Sequence, residues 1–196
     1  MSARAVPLPA TMTAALSALD RPDSYGLLSR VAHWGGALLT LLLLGIGLAA
    51  EDFVTSEARQ RWLWAWHVGI GVFAFLPLAA RVLWRVAAVA GGRGPAPLSP
   101  PGWQRLAEKA GHGALLGLLA LMMVTGPLMI WSDGSPIHVL GWFTLPTPME
   151  PNKVIHHWCG RLHGLGSKLM ILLVLLHLIG AVRHGAASFR RMAGRG

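Results

Sequence analysis

With 196 residues, 54% hydrophobic and 13% charged, the chain carries about half the charged share of a soluble globular protein, which points to a membrane protein. A single cysteine, Cys159, excludes an internal disulfide framework, and the lack of C-x-x-C-H excludes covalent c-type haem attachment. The net charge of +9 does not read as a nucleic-acid footprint, because lysines and arginines gather at the ends of apolar segments rather than on one basic face.

Residues 1–24 read as a poorly ordered tail. Their apolar stretch is weak and broken by threonine and serine, which does not suit a signal peptide. The domain proper is expected over 25–192, with a short tail at 193–196. A spanning helix needs about 20 apolar residues. Four segments meet that: Val31 to Ala50, about Trp62 to Trp84, about Ala110 to Trp131, and about Leu162 to Val182. The expected fold is an all-α bundle of four transmembrane helices. "GGRGPAPLSPPG" between the second and third segments is a Gly/Pro-rich linker. "DGSPIHVLGWFTLPTPMEPNK" before the fourth is proline-interrupted and is expected on the membrane surface. No sequence repeat stands out.

Direction follows from the distribution of lysine and arginine. With the N-terminus inside, twelve such residues, Arg4 and Arg195 among them, fall on the inner side and five on the outer. Both termini are therefore expected in the cytoplasm.

The histidines then sort by depth. His33 and His112 open the first and third helices, near the inner face. His67 and His163 lie near the outer face, at the starts of the second and fourth. His177 follows His163 by fourteen residues, roughly 21 Å along one helix and only about 40° short of four full turns. One helix thus contributes to an outer layer, His67 and His163, and to an inner layer of His33, His177 and His112. Two neutral imidazoles from facing helices can hold a haem iron from both sides, which fills its coordination and favours electron transfer. Depth alone leaves both His33 and His112 open as the partner of His177.

Plainer readings exist. One intramembrane histidine can be satisfied by a carbonyl on a neighbouring helix. Five at two depths argue otherwise, because polar groups in lipid are costly and mark function. A bare zinc or di-iron site is a weaker alternative, since the spans lack a mid-depth acid. Gly35 and Gly36, Gly69 and Gly71, and Gly164 and Gly166 flank the histidines. They suit close approach of a flat macrocycle and equally suit helix packing. Cys159 reads as a small buried residue.

These residues resemble the bacterial cytochrome b561 family, in particular its short four-helix members that include superoxide oxidase. The resemblance runs from about Tyr25 to Met192. It rests on "RVAHW", "HVGIG", "RVLWR", "GHGALLGLLALMMVTGPLMI", "GWFTLP" and the fourteen-residue spacing of His163 and His177. It implies two non-covalent haem b groups in a bacterial inner (cytoplasmic) membrane. Their iron ligands would be His33 with His177 for the inner haem and His67 with His163 for the outer. His112 and His184 match family histidines outside the ligand positions.

The resemblance further implies exchange of electrons with the quinone pool, most concretely as a superoxide:ubiquinone oxidoreductase. Lys153, Arg161 and Lys168 are then candidates to steer the superoxide anion at the outer face. Arg81, fourteen residues after His67, or Arg30 would pair with an inner-haem propionate, unless either simply snorkels. His112 and His184 are candidates for a quinone or proton site. The alternative is a cytochrome b subunit that carries electrons between a docked dehydrogenase or hydrogenase, as redox partner protein, and quinone. A haem transporter or a purely structural membrane protein is a third reading.

Overall fold

A computed structural model describes residues 18–22 and 24–193. Most of the expected N-terminal tail, with Arg4, and the end of the C-terminal tail, with Arg195, lie outside the described residues. Four long helices form the molecule: α1 (Leu27–Leu48), α2 (Glu57–Ala90), α3 (Trp103–Ser132) and α4 (Lys153–Arg183). Each is long and apolar enough to cross a membrane. A π-helical turn, Ala49–Phe53, follows α1, and a short helix α5 (Ala186–Ala193) follows α4.

Every spanning helix exceeds the segment expected from hydropathy. The apolar window marks only the part that lies in hydrocarbon, whereas polar turns continue the hydrogen-bond ladder beyond it. In α4 the added turns begin at Asn152, whose side chain accepts from the Val154 and Ile155 amides. Pro77 and Pro127 lie inside α2 and α3 without ending them.

The helices pack as two hairpins, α1 on α2 and α3 on α4, joined where α2 meets α3. The buried core is Ala74, Leu78, Leu119 and Met170. Ala74, Leu119 and Met170 each stand seven residues, two turns, after His67, His112 and His163. A buried apolar layer therefore separates the two histidine layers.

The proline-interrupted segment between α3 and α4 folds as a β-hairpin, β1 (Ile137–Val139) with β2 (Phe143–Leu145). Ile137 and Val139 are buried. The turn holds Leu140 at φ 52° and Gly141 at φ 78°, and the Trp142 amide donates to the Val139 carbonyl. Positive φ at both central residues is the hairpin-turn geometry. It is uncommon for leucine, and here it directs the Leu140 side chain onto α2 at Gly69, where a Cβ would stand 2.5 Å from Leu140 Cγ.

At the opposite end the described part of the tail, 18–22 and 24, lies against the α2–α3 linker and the start of α1. Asp20 accepts from the Gly26 amide, and the Pro22 carbonyl accepts from the Ala96 amide of the α2–α3 linker. Tyr25 donates its amide to Arg191 on α5, and its ring lies under Arg85. Burial there pushes the Tyr25 hydroxyl above its ordinary value.

Candidate functional site: two histidine layers

The loop between α3 and α4 defines a hairpin side of the bundle, and the chain ends define a terminus side. On the hairpin side His67 faces His163, with ring centroids 6.3 Å apart. On the terminus side His33 faces His177 at 6.2 Å, and His112 approaches His177 to 5.2 Å. α4 supplies one ring to each layer, as its fourteen-residue spacing requires.

These separations test whether the rings suit an iron. Two metal–imidazole bonds of about 2.0 Å and two ring radii of about 1.1 Å span about 6.2 Å. The pairs His33–His177 and His67–His163 fit that span; the pair His112–His177 is about 1 Å too close. His112 Nδ1 donates to the Glu108 carbonyl of its own helix. Among the described residues, no group of three or more His, Cys, Asp or Glu side chains is placed to hold a metal ion.

The hairpin-side rings are oriented by hydrogen bonds. His67 Nδ1 lies 3.1 Å from the Leu43 carbonyl of α1, which can only accept, so the proton is on Nδ1 and Nε2 keeps its lone pair. His163 Nδ1 lies 3.0 Å from Thr125 Oγ1 of α3. That hydroxyl donates its own proton to the Leu121 carbonyl at 2.8 Å, so it accepts from His163 Nδ1. Both Nε2 atoms are left as metal-binding nitrogens.

Two glycines make room for these rings. A Cβ at Gly47 would stand 3.3 Å from His67 Cε1, and one at Gly126 would stand 3.3 Å from His163 Cε1. Gly47 also follows Leu43 by four residues, so its missing side chain leaves the Leu43 carbonyl open to the imidazole. Sequence reasoning missed Leu43, Gly47, Thr125 and Gly126. A signal was present. Gly47 lies fourteen residues after His33, and Gly126 fourteen after His112, the same step that relates His67 to Arg81 and His163 to His177.

The glycines expected beside a macrocycle divide into two kinds. Gly35, Gly71 and Gly164 have nothing within 4 Å of an added Cβ, which suits a flat group lying along the helix. The other three fit the packing reading: Gly36 packs under the Arg81 guanidinium, Gly69 under Leu140 and Gly166 against Met122 Sδ. Each serves protein packing, because a neighbouring side chain already fills the space a Cβ would take.

Arg81 enters the terminus-side layer, where its Nη1 donates to the His33 carbonyl at 2.8 Å. Arg30 does not join it. Its Nη1, one turn before His33 on α1, donates to the Ala193 carbonyl of α5. His112 and His184 do not share one site: His112 meets His177, whereas His184 caps α4 with Nε2 3.3 Å from Ser99 Oγ. Arg161 and Lys168 are exposed along α4. Lys153, at the helix start, lines a cleft with Asp133 and His156. Cys159 is buried and free.

Four spanning helices with paired, iron-spaced imidazoles at two depths define a membrane cytochrome of the b type. The chain belongs to the prokaryotic cytochrome b561 family, whose model matches residues 24–195. It is similar to cytochrome b561 homolog 2 of Escherichia coli (strain K12), at 32% identity over 169 residues, 86% of this chain and 88% of that protein. It is accordingly a multi-pass membrane protein that binds b-type haem and transfers electrons.

Proposed function

We propose that the chain holds two haem b groups and carries electrons from superoxide to ubiquinone across a bacterial inner membrane. His33 with His177 would ligate one iron and His67 with His163 the other. The observation that carries the two-haem part of this reading is the pair of 6.2 and 6.3 Å imidazole separations at two depths; superoxide and ubiquinone rest on the family resemblance. Bound haem iron would supply a one-electron couple, and the four imidazoles that hold it would favour electron transfer over ligand chemistry.

The residues divide the work by depth. The excess of lysine and arginine on the terminus side supports an orientation with both termini in the cytoplasm. Lys168, Arg161 and Lys153 would then lie toward the outer half and attract an anion. Two superoxide ions each give up one electron and leave as O2. Two electrons and two protons convert ubiquinone to ubiquinol. Arg81 places a guanidinium in the terminus-side layer, where a propionate would accept from it. His112, exposed beside His177, is the proposed quinone or proton contact. His184, at the end of α4 and beside Ser99, would stand apart from that contact, nearer the cytoplasmic surface.

Stopped-flow mixing of the oxidised, purified protein with superoxide tests the reading. The α-bands should gain reduced character far faster than with an equal concentration of a general reductant, and added ubiquinone should reoxidise them. Equal rates for the two reductants make superoxide the wrong donor.

A further inference from the structure

The two histidine pairs are held differently. His67 and His163 each donate Nδ1–H, to the Leu43 carbonyl and to Thr125 Oγ1. Among the described residues, no such acceptor meets a ring nitrogen of His33 or His177, whose ring neighbours are Trp34, His112 and one another. Thr125 is 3% exposed and its hydroxyl is fully engaged, donating to Leu121 and accepting from His163. The geometry leaves the imidazole only one tautomer.

We infer that Thr125 is a positioning residue that sets the hairpin-side iron at a lower reduction potential than the terminus-side iron, so that electrons run from the hairpin side toward the chain ends. The inference rests on the assignment of His67 with His163 as an iron-ligand pair. An imidazole that donates Nδ1–H to an acceptor becomes more basic at Nε2. A more basic ligand stabilises ferric over ferrous iron and lowers the potential, a lever that hydrogen bonding provides in haem proteins generally. Both ligands of the hairpin-side pair carry this bond. Leu43 contributes through its backbone, which substitution cannot remove, so Thr125 is the side chain through which the asymmetry can be changed. Gly126 belongs to the same device. A side chain there would press on His163 Cε1 and turn the ring away from the hydroxyl.

The test is a potentiometric titration of the two haem α-bands in wild type, Thr125→Val and Thr125→Ser, with low-temperature EPR of the oxidised proteins. Valine keeps the shape and removes the acceptor; serine restores it. In Thr125→Val the lower-potential transition should move up toward the higher one, the other should stay, and the EPR signal of one haem should shift. Thr125→Ser should return both to wild-type positions. Two unmoved transitions in a Val variant that retains both haems overturn the inference, as does movement of the higher-potential transition alone. Loss of one haem from Thr125→Val, whether or not Thr125→Ser retains it, overturns the inference, since the hydroxyl then holds the ligand in place rather than tuning its iron. Failure of the underlying ligand assignment is separate and is seen in wild type itself, as the absence of two low-spin, doubly histidine-ligated signals.

Discussion

Gly126 of α3 and His163 of α4 are in edge contact: a Cβ on the glycine would stand 3.3 Å from Cε1 of the imidazole. The same relation joins Gly47 of α1 to His67 of α2. Each hairpin-side ring is thus held between a hydrogen-bond acceptor and a glycine one helix away. Gly126→Val should push His163 off its acceptor and remove the hairpin-side haem, at a cost of about 1–3 kcal/mol from overpacking. Gly117→Ala on the same helix meets nothing within 4 Å and should leave haem content intact, with a gain of up to about 1 kcal/mol from helix propensity. Haem-to-protein ratios and thermal unfolding in detergent distinguish the two.

Ligand replacement should resolve the layers. His177→Ala should lower haem content from two per chain to one and spare the hairpin-side spectrum, whereas His163→Ala should do the reverse. His112→Ala should retain both haems, because its 5.2 Å approach to His177 is too close for an iron between the rings. A pyridine haemochrome assay with protein quantitation reads each outcome. Loss of a haem from His112→Ala with none lost from His33→Ala would reassign the terminus-side ligand.

The hairpin turn is anchored by one side chain. Leu140→Ala removes the group that packs on Gly69 but keeps the left-handed backbone, so it should destabilise by about 1–3 kcal/mol. Gly69→Ala places a Cβ 2.5 Å from Leu140 Cγ and should also lower the unfolding midpoint. Combining Gly69→Ala with Leu140→Ala should recover part of the loss, because the two changes act at one contact. Additive losses in the thermal midpoints would show that the contact is not shared.

On the terminus side, Asp20 is buried, accepts from the Gly26 amide and lies 4.0 Å from Arg85 Nη1. Asp20→Ala should release the segment that docks on the linker and α5. Arg85 is 39% exposed, so the ion pair is screened and the expected loss is about 1–2 kcal/mol rather than that of a fully buried pair. Limited proteolysis should cut before Gly26 faster in the variant, with haem content unchanged.

Much of the bundle could be read from residue order. The four apolar segments, their alternation and the depths of His33, His67, His163 and His177 follow from hydropathy and a rise per residue, quantities local to each helix. The π-helical turn and the β-hairpin were not legible. The Leu140–Gly141 turn is held by a contact with Gly69, about seventy residues earlier in the chain, which no local pattern encodes. The docking of Asp20 and Pro22 was hidden for the same reason.

The sequence by itself determined the membrane class, the four spans and two histidine layers, because spacing along a rigid helix converts directly into depth and face. Only the tertiary structure decided what surrounds each histidine. It separated His33 from His112 by ring distance, sent Arg30 to α5 and Arg81 to the His33 carbonyl, and divided the flanking glycines into packed and open. It also brought Thr125 and the Leu43 carbonyl to the hairpin-side rings. Those outcomes depend on the rotation of each helix about its axis against its neighbours, which the residues of all four helices set together.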